Sequence, residues 1–341
     1  MCRCGGLHGT IHATAKGKRV GVDATDSGTA PAGARVVVVG GANTDIIGVS
    51  SAPVRPADSN PGHIRVSAGG VGRNIAENLA RLGVPTSLIS AFGGDDPGHR
   101  LLEACADAGI DVTASIVAAD LPGAHYLAIL DDRCDMVMAV NDMRVLDLVT
   151  PEALARPERA AVLAAADLVV ADANLPAASL EWLAAHVTAP IVFEPVSVAK
   201  GPRAAGILPL LAAVTPNAAE AAALLGHEVD GLDGALAAAR ELVGRGVGAA
   251  FVTCGEAGTA WADVASSGTT PAPRVRVANA SGAGDAFCAG VAWALLSGAG
   301  AKRAAALGTA LASIALADED TVSRRLTPDA ALAAAKELEH S

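Results

Sequence analysis

The sequence predicts an α/β protein: a mostly parallel central sheet sandwiched by helices, with a small β-structure set apart from it. Short apolar runs recur along the chain, each with an Ala- or Leu-rich helical stretch nearby, and this alternation is the mark of parallel strands joined by helical crossovers. Two segments, HIRVSAGG (residues 63–70) and HYLAILDDRCDMVMAVND (residues 125–142), read as β-structure with no helix between strands, the second as a hairpin turning near Asp131–Arg133. With 341 residues, 51% hydrophobic and only 18% charged, the chain can bury a full core, in one large domain or two small ones.

The ordered region opens at Arg35. Four valines, Val36 to Val39, suit a strand covered on both faces, and Gly40 and Gly41 end it in a tight turn. In GGVGRNIAENLARLG, Ile75, Leu79 and Leu82 repeat at helical spacing, Gly83 stops the helix, and TSLISAFG continues as a strand. The same rhythm returns at VVADANL, IVFEPVS, AAVTPN and AAFVTCG. Residues 1–34 lack periodicity and read as a flexible leader preceding a domain over 35–341. Cys2, Cys4, His8 and His12 within the leader fit no common zinc spacing closely.

Composition excludes several functions. A net charge of −11 leaves no basic face for nucleic acid or an anionic membrane. Six cysteines at 2, 4, 105, 134, 254 and 288 have no disulfide-framework spacing and read as reduced thiols of a cytoplasmic protein. Asp167, Asp172 and Asp285 interrupt the best apolar runs short of the roughly 18 residues a membrane span needs. GxGxxG does not follow the first strand, which argues against a dinucleotide-binding oxidoreductase, and the P-loop and protein-kinase motifs are missing.

Chemistry concentrates at ANASGAGDAF, residues 278–287. Gly282, Ala283 and Gly284 let a ligand approach the backbone, and the N–H groups of the following helix form a nest suited to a transferring phosphoryl group. Asp285 beside it can accept a proton from an attacking hydroxyl. In TPNAAEA, Asn217 and Glu220 start a helix with oxygens able to orient Mg²⁺ or its waters. TCGEAG, with Thr253, Gly255 and Gly258, offers a turn for a nucleotide. Asn43, Asp45, Gly69, Gly70 and Asn74 are suited to sugar hydroxyls.

Together these residues resemble the ribokinase-like, or PfkB, family of carbohydrate and nucleoside kinases over residues 35–335, on two signatures in the right order, the GGVGRN region and ANASGAGDAF. The resemblance implies a three-layer α/β/α sandwich with a small β-lid over about 46–68 and 124–142. AVNDM, VADANL, EPVSVAK and TPNAAEA are most similar to the family's pseudouridine-kinase subgroup. The implied reaction is ATP-dependent phosphorylation of a nucleoside 5′-hydroxyl; another nucleoside, a bare sugar such as ribose, or a silent nucleoside-binding regulator are the rivals.

By the same resemblance Asp285 is the catalytic base and Gly282, Ala283 and Gly284 the anion hole. Asn43, Asp45, Gly69, Gly70 and Asn74 hold the ribose, and His125, Asn141 and Asp142 meet the base, with simple packing an equal reading of His125. Lys200, Asn217, Thr253, Gly255 and Gly258 serve ATP, and Glu220 serves Mg²⁺ through water. Asn279 stands where many relatives have an acid that helps bind a monovalent cation, which leaves K⁺ activation open. Also implied are a homodimer formed through the lid and a pseudouridine-5′-phosphate glycosidase acting on the product.

Overall fold

The structure, a computed structural model, describes residues 31–339. Residues 1–30 of the expected leader, with Cys2, Cys4, His8 and His12, lie outside the described residues. In chain order the first half contains β1 (Val36–Val39), β2 (Asn43–Ser50), β3 (Gly62–Gly69), α1 (Val71–Arg81), β4 (Thr86–Ile89), β5 (Ala91–Gly93), α2 (Asp96–Asp107), β6 (Ile116–Ala118), β7 (His125–Leu130) and β8 (Met136–Asp142). Then follow α3 (Pro151–Leu154), α4 (Pro157–Ala164), β9 (Leu168–Asp172), α5 (Ala177–His186), β10 (Ile191–Glu194), β11 (Ala213–Val214), α6 (Ala218–Leu225) and α7 (Gly231–Gly244). The chain closes with β12 (Ala249–Thr253), β13 (Thr259–Asp263), β14 (Ser267–Thr270), α8 (Ala283–Leu296), α9 (Ala301–Leu316) and α10 (Pro328–Glu339).

Eight strands form the large sheet in the order β14-β13-β12-β11-β10-β9-β1-β4. The six from β12 to β4 run parallel, while β13 and β14 add an antiparallel hairpin at one edge that the sequence reading did not anticipate. Strands buried on both faces need apolar residues at every position, which is why the runs are continuous and not alternating. Two apolar cores cover the faces. One joins α1, α2, α8, α9 and α10; the other joins α3 to α7. From β1 the chain moves to β4 on one side and later to β9 on the other, so β1 and β9 flank the switch point where open α/β sheets place their ligands.

A second sheet has the order β3-β2-β7-β8 and follows directly from β1 and its Gly40–Gly41 turn. Its β7–β8 hairpin is closed by Asp131, whose Oδ1 accepts from the N–H groups of Arg133 and Asp135 at 2.8 and 2.9 Å. Facing residues fall on one side of a sheet in cross-strand rows. Val66, Ile46, Leu127 and Val140 form one such row, with Ile64, Gly48, Ile129 and Met138 next to it. Ile64 is 76% exposed and Val66 60%.

Helix α8 is buried along its whole length from Asp285 to Leu295. It can lie there because it meets α9 glycine to glycine: a Cβ on Gly290 would stand 2.8 Å from Gly308 Cα, and one on Gly308 2.8 Å from the Phe287 ring. That contact fixes where the mouth of α8 points. Gly290→Val should therefore destabilise the protein by about 1–3 kcal/mol through overpacking, read as a lower urea midpoint at unchanged slope. An unchanged midpoint would mean that the helix spacing is set elsewhere.

Candidate active site

Helix α8 begins at Gly282, which adopts a left-handed conformation (φ 82°) with no side chain capping the helix. A Cβ on Gly282 would meet the Thr321 carbonyl oxygen at 2.2 Å, so both backbone angle and packing demand glycine here. Gly284 is different. A Cβ there would meet no protein atom within 4 Å, so open space lies beside the first turn. The N–H groups of Ala283, Gly284 and Asp285 have no intrahelical acceptor and carry the positive end of the macrodipole.

Asp285 sits in this first turn, buried, and its Oδ2 accepts from Asn74 Nδ2 at 2.8 Å across from α1. Asn74 is held in turn. Its Oδ1 accepts from Arg73 Nη1 at 2.9 Å; Arg73 Nη2 pairs with Glu77, and Glu77 Oε1 accepts from Arg81 Nη2 at 2.6 Å. The i, i+4 spacing stacks Arg73, Glu77 and Arg81 along α1, with the first two buried. Burial pushes the Asp285 carboxyl up to about 7; the Asn74 bond and Arg73 pull it down, while Asp172 and Asp45 push it further up.

The turn after β1 is built around Asp172, fully buried at the end of β9. Its two oxygens accept from Gly41 N and Asn174 N, each at 2.8 Å. A Cβ on Gly40 would lie 2.4 Å from Asp172 Oδ2, and one on Gly41 2.7 Å from Asn174 Nδ2, which is why two glycines end the strand. Lys200 Nζ donates to Asn174 Oδ1 at 2.6 Å, placing Lys200 beside this turn. Burial lowers the Lys200 ammonium pKa, and the negative charge of Asp172 partly offsets that.

Asn43 Nδ2 donates to Asp45 Oδ1 at 2.6 Å. A Cβ on Gly69 would lie 2.1 Å from Asp45 Oδ2, and Gly70 (φ 100°) would collide with Ala42 and Gly41, so both glycines admit this first turn of β2 against the start of α1. Burial raises the Asp45 carboxyl above its ordinary range. Across the second sheet, Ser67, Asp45, Tyr126 and Asn141 share one row and one face. His125 and Asp142 pair on the opposite face: His125 Nδ1 bonds to Gly123 O at 2.7 Å, and Asp142 binds Arg144 through both oxygens. The register thus separates His125 and Asp142 from the row that holds Asp45.

Asn217 and Glu220 form a capping box, Asn217 Oδ1 accepting from Glu220 N and Glu220 Oε2 from Asn217 N, each at 2.9 Å. The spacing read in the sequence as a ligand pair thus has a structural role of its own. Glu194, fully buried, accepts from Thr215 Oγ1 at 2.5 Å, and its pKa rises well above the ordinary value through burial and then the charge of Glu220. Two buried carboxyls that repel each other fit a hydrated divalent cation, which would relieve both. Among the described residues no cluster of three or more His, Cys, Asp or Glu could hold a metal, so such a cation would arrive with phosphate oxygens. Thr253 faces Asn217 in a bridge between β12 and the start of α6; Gly255 (φ 55°) and Gly258 (φ 105°) shape the next turn, and a Cβ on Gly258 would hit Thr270 O at 2.3 Å.

Residues missed in the sequence are Arg73, Glu77, Arg81, Asp172, Asn174 and Thr215. The signal for the first three was the i, i+4 alternation of charge along a helix that is otherwise uncharged. That for Asp172 was a lone acid ending an apolar strand.

A helix mouth bare of side chains, a buried acid beside it and an open space at Gly284 define a phosphotransferase acting on an alcohol group. Residues 34–327 match the pfkB family carbohydrate kinase, and the chain belongs to that family of sugar and nucleoside kinases. It is 35% identical to the pseudouridine kinase of Escherichia coli (strain K12) over 261 residues, 75% of this chain and 82% of that protein. It is 29% identical to the guanosine-inosine kinase of Exiguobacterium acetylicum over 296 residues, 84% and 95% of the two chains. A carbohydrate kinase from Agrobacterium tumefaciens superposes with a TM-score of 0.79 at 29% identity, covering 89% of this chain and 98% of that one. No helix among the described residues is long and apolar enough to cross a membrane.

Asp285 gives two pH effects with opposite uses. A carboxyl raised from 3.8 to about 7 on folding makes the native state hold the proton more tightly, so its contribution to stability is greatest in acid and is lost as pH rises from about 4 to about 7. The neutral Asp285→Asn variant should therefore gain melting temperature over the parent, more at pH 8 than at pH 5. A carboxylate base must be ionised to act, so with Asp285 in that role kcat/KM should rise tenfold per unit below an apparent pKa of about 7 and level above it. Asp285→Asn should lose that limb together with about 10²–10⁴-fold in kcat; near-normal turnover would remove Asp285 from the base role.

Proposed function

We propose that the chain is an ATP-dependent nucleoside kinase whose substrate is pseudouridine, giving pseudouridine 5′-phosphate and ADP. The observation that carries the kinase chemistry is the Asn74–Asp285 contact at the open mouth of α8. The nucleoside oxygen attacks the γ-phosphorus as the bond to ADP breaks, and Asp285 takes the hydroxyl proton. The N–H groups of the Gly282–Gly284 turn and of Asp285 gather the charge on the transferring group's equatorial oxygens. Mg²⁺ bound to ATP would neutralise phosphate charge, with Glu220 and Glu194 holding its waters. Lys200 lies on the phosphate side, and Thr253, Gly255 and Gly258 border the nucleotide.

Asp45, with Asn43 and Asn74 and the Gly69–Gly70 turn, serves the ribose. Asn141 lies in the same row as Asp45, where its amide can meet the polar edge of a base; a bare sugar would leave it idle. The similarity to a pseudouridine kinase supports pseudouridine, and the likeness to a guanosine-inosine kinase makes purine nucleosides the second reading. The test is ADP release with Mg·ATP on pseudouridine, uridine, guanosine, inosine and ribose. Pseudouridine should give the highest kcat/KM, and Asn141→Ala should reduce it about tenfold while leaving ribose turnover unchanged. Preference for guanosine or ribose would sink the pseudouridine assignment and keep Asp285's role. In the cell, the cytoplasm with its ATP supply suits the reaction, and a glycosidase acting on the 5′-phosphate is its natural successor.

We also infer a homodimer. Exposed Ile64, Val66, Leu127, Met138 and Val140, in two neighbouring cross-strand rows on one face of the second sheet, form an apolar patch, and a second copy would offer the matching surface. Val66→Asp should shift the protein from dimer to monomer in size-exclusion with light scattering; a parent protein that already runs as a monomer would refute the dimer.

A further inference from the structure

The phosphoryl nest hangs between two neighbouring segments, the stretch leading into Gly282 and the loop that follows α9. Ala278 N donates to Leu316 O at 2.8 Å, and Gly282 lies tight against Thr321 O. The resemblance to the family implies, at the position of Asn279, an acid that helps bind a monovalent cation. Such a cation needs several converging oxygens with free lone pairs, backbone carbonyls among them.

The residues here do not fit that requirement. Asn279 Oδ1 accepts from Ser281 N at 2.9 Å, and Asn279 Nδ2 donates to Glu319 O at 3.1 Å. One partner can only donate and the other can only accept, so the orientation of the amide is fixed. The Ala317 carbonyl and the Asp318 carboxylate of the loop are engaged as well. Arg325 Nη2 donates to Ala317 O at 2.7 Å, and Arg325 Nε pairs with Asp318 Oδ2 at 3.2 Å. Ser323 Oγ also donates to Asp318 Oδ2, at 2.6 Å, and with Arg325 it holds that carboxyl down to about 2. Arg65 Nη1 reaches Glu319 O at 3.5 Å, the limit of a hydrogen bond. The Ala317 and Glu319 carbonyls thus already receive N–H donors of the chain, and the Asn279 side chain that meets Glu319 O is neutral.

We propose that this kinase needs no monovalent cation: the Asn279 amide and the Arg325 guanidinium tie the loop after α9 to the nest in the cation's place. Asn279→Asp would remove the N–H donor to Glu319 O, set a carboxylate against that carbonyl and create a need for a cation.

The proposal rests on reading Gly282–Gly284 as the phosphoryl nest, but one of its two measurements requires no substrate. Melting temperature and ADP release are recorded in KCl, NaCl and choline chloride at equal ionic strength, for the parent chain and for Asn279→Asp. The parent should melt at the same temperature in all three salts and turn over its best substrate within twofold. Asn279→Asp should melt lower in choline and recover, with its activity, as KCl is added. A parent protein stabilised by K⁺ over choline, or activated several-fold by it, would overturn the proposal. So would an Asn279→Asp variant that folds and is indifferent to the salt. If that variant does not fold in any salt, the parent comparison decides alone. Failure of every nucleoside as substrate would count against the proposed function and leave the melting result to be judged by itself.

Discussion

The hydrogen bond from Asn74 to Asp285 joins two helices that share no sequence neighbourhood, and the candidate site is arranged around it. A carboxyl buried among apolar helices would hold its proton far above neutral pH, useless as a base. One amide donor, polarised by the Arg73 guanidinium behind it, opposes that burial. Arg73 is itself fixed by Glu77, and Glu77 by Arg81 nearer the surface. A buried ion pair of this kind adds little to net stability, because desolvation offsets most of its attraction. Its effect is on orientation: the Asn74 side chain cannot flip its amide away from Asp285 without setting its own N–H donors against those of the Arg73 guanidinium.

The small residues serve the same contact from the other side. Helix α8 must pass through the core to bring its N-terminus to the switch point between β1 and β9, and glycines at 290 and 308 let it pack on α9 without bulging. At the strand ends the same economy recurs. Gly40 and Gly41 give way to Asp172 and Asn174, and Gly69 gives way to Asp45. Each of these glycines clears space for a polar side chain that a Cβ would displace, whereas Gly284 clears space that no protein atom fills.

Much of this was legible in the sequence, and the reasons are physical. Val36–Val39 and the other continuous apolar runs could only be doubly covered strands, and Asp285 stood out because an acid beside two glycines at the head of an apolar helix has no packing purpose. Other features depend on pairings that sequence spacing does not encode. Arg73, Glu77 and Arg81 look like an ordinary solvated helix face until α1 is seen to turn them inward. Asn217 and Glu220 have a spacing that serves a capping box and a ligand pair alike, and only coordinates show the box closed. His125 and Asp142 lie close in sequence to Tyr126 and Asn141, yet the pleat sends the two pairs to opposite faces, and that follows from β7 pairing with β2 in one particular register.

The charges around the site explain why its donors matter so much. Asp45, Asp172, Glu194, Glu220 and Asp285 gather at the strand ends, and burial raises all five carboxyls. Against them stand Arg73, already committed to Glu77 and Asn74, Arg65 beside Asp45, and Lys200 with its neighbour Arg203, the Lys200 ammonium being itself weakened by burial. On the proposed reading, attraction for a polyphosphate comes from groups that act at short range: backbone N–H donors at the mouth of α8 and a divalent cation that would be carried in on the phosphates. That restricts tight binding to ligands that place an anionic group against the nest itself. With Asp285 as the proposed proton acceptor beside the nest, the geometry that would bind the phosphoryl group is also the geometry that would activate the hydroxyl receiving it.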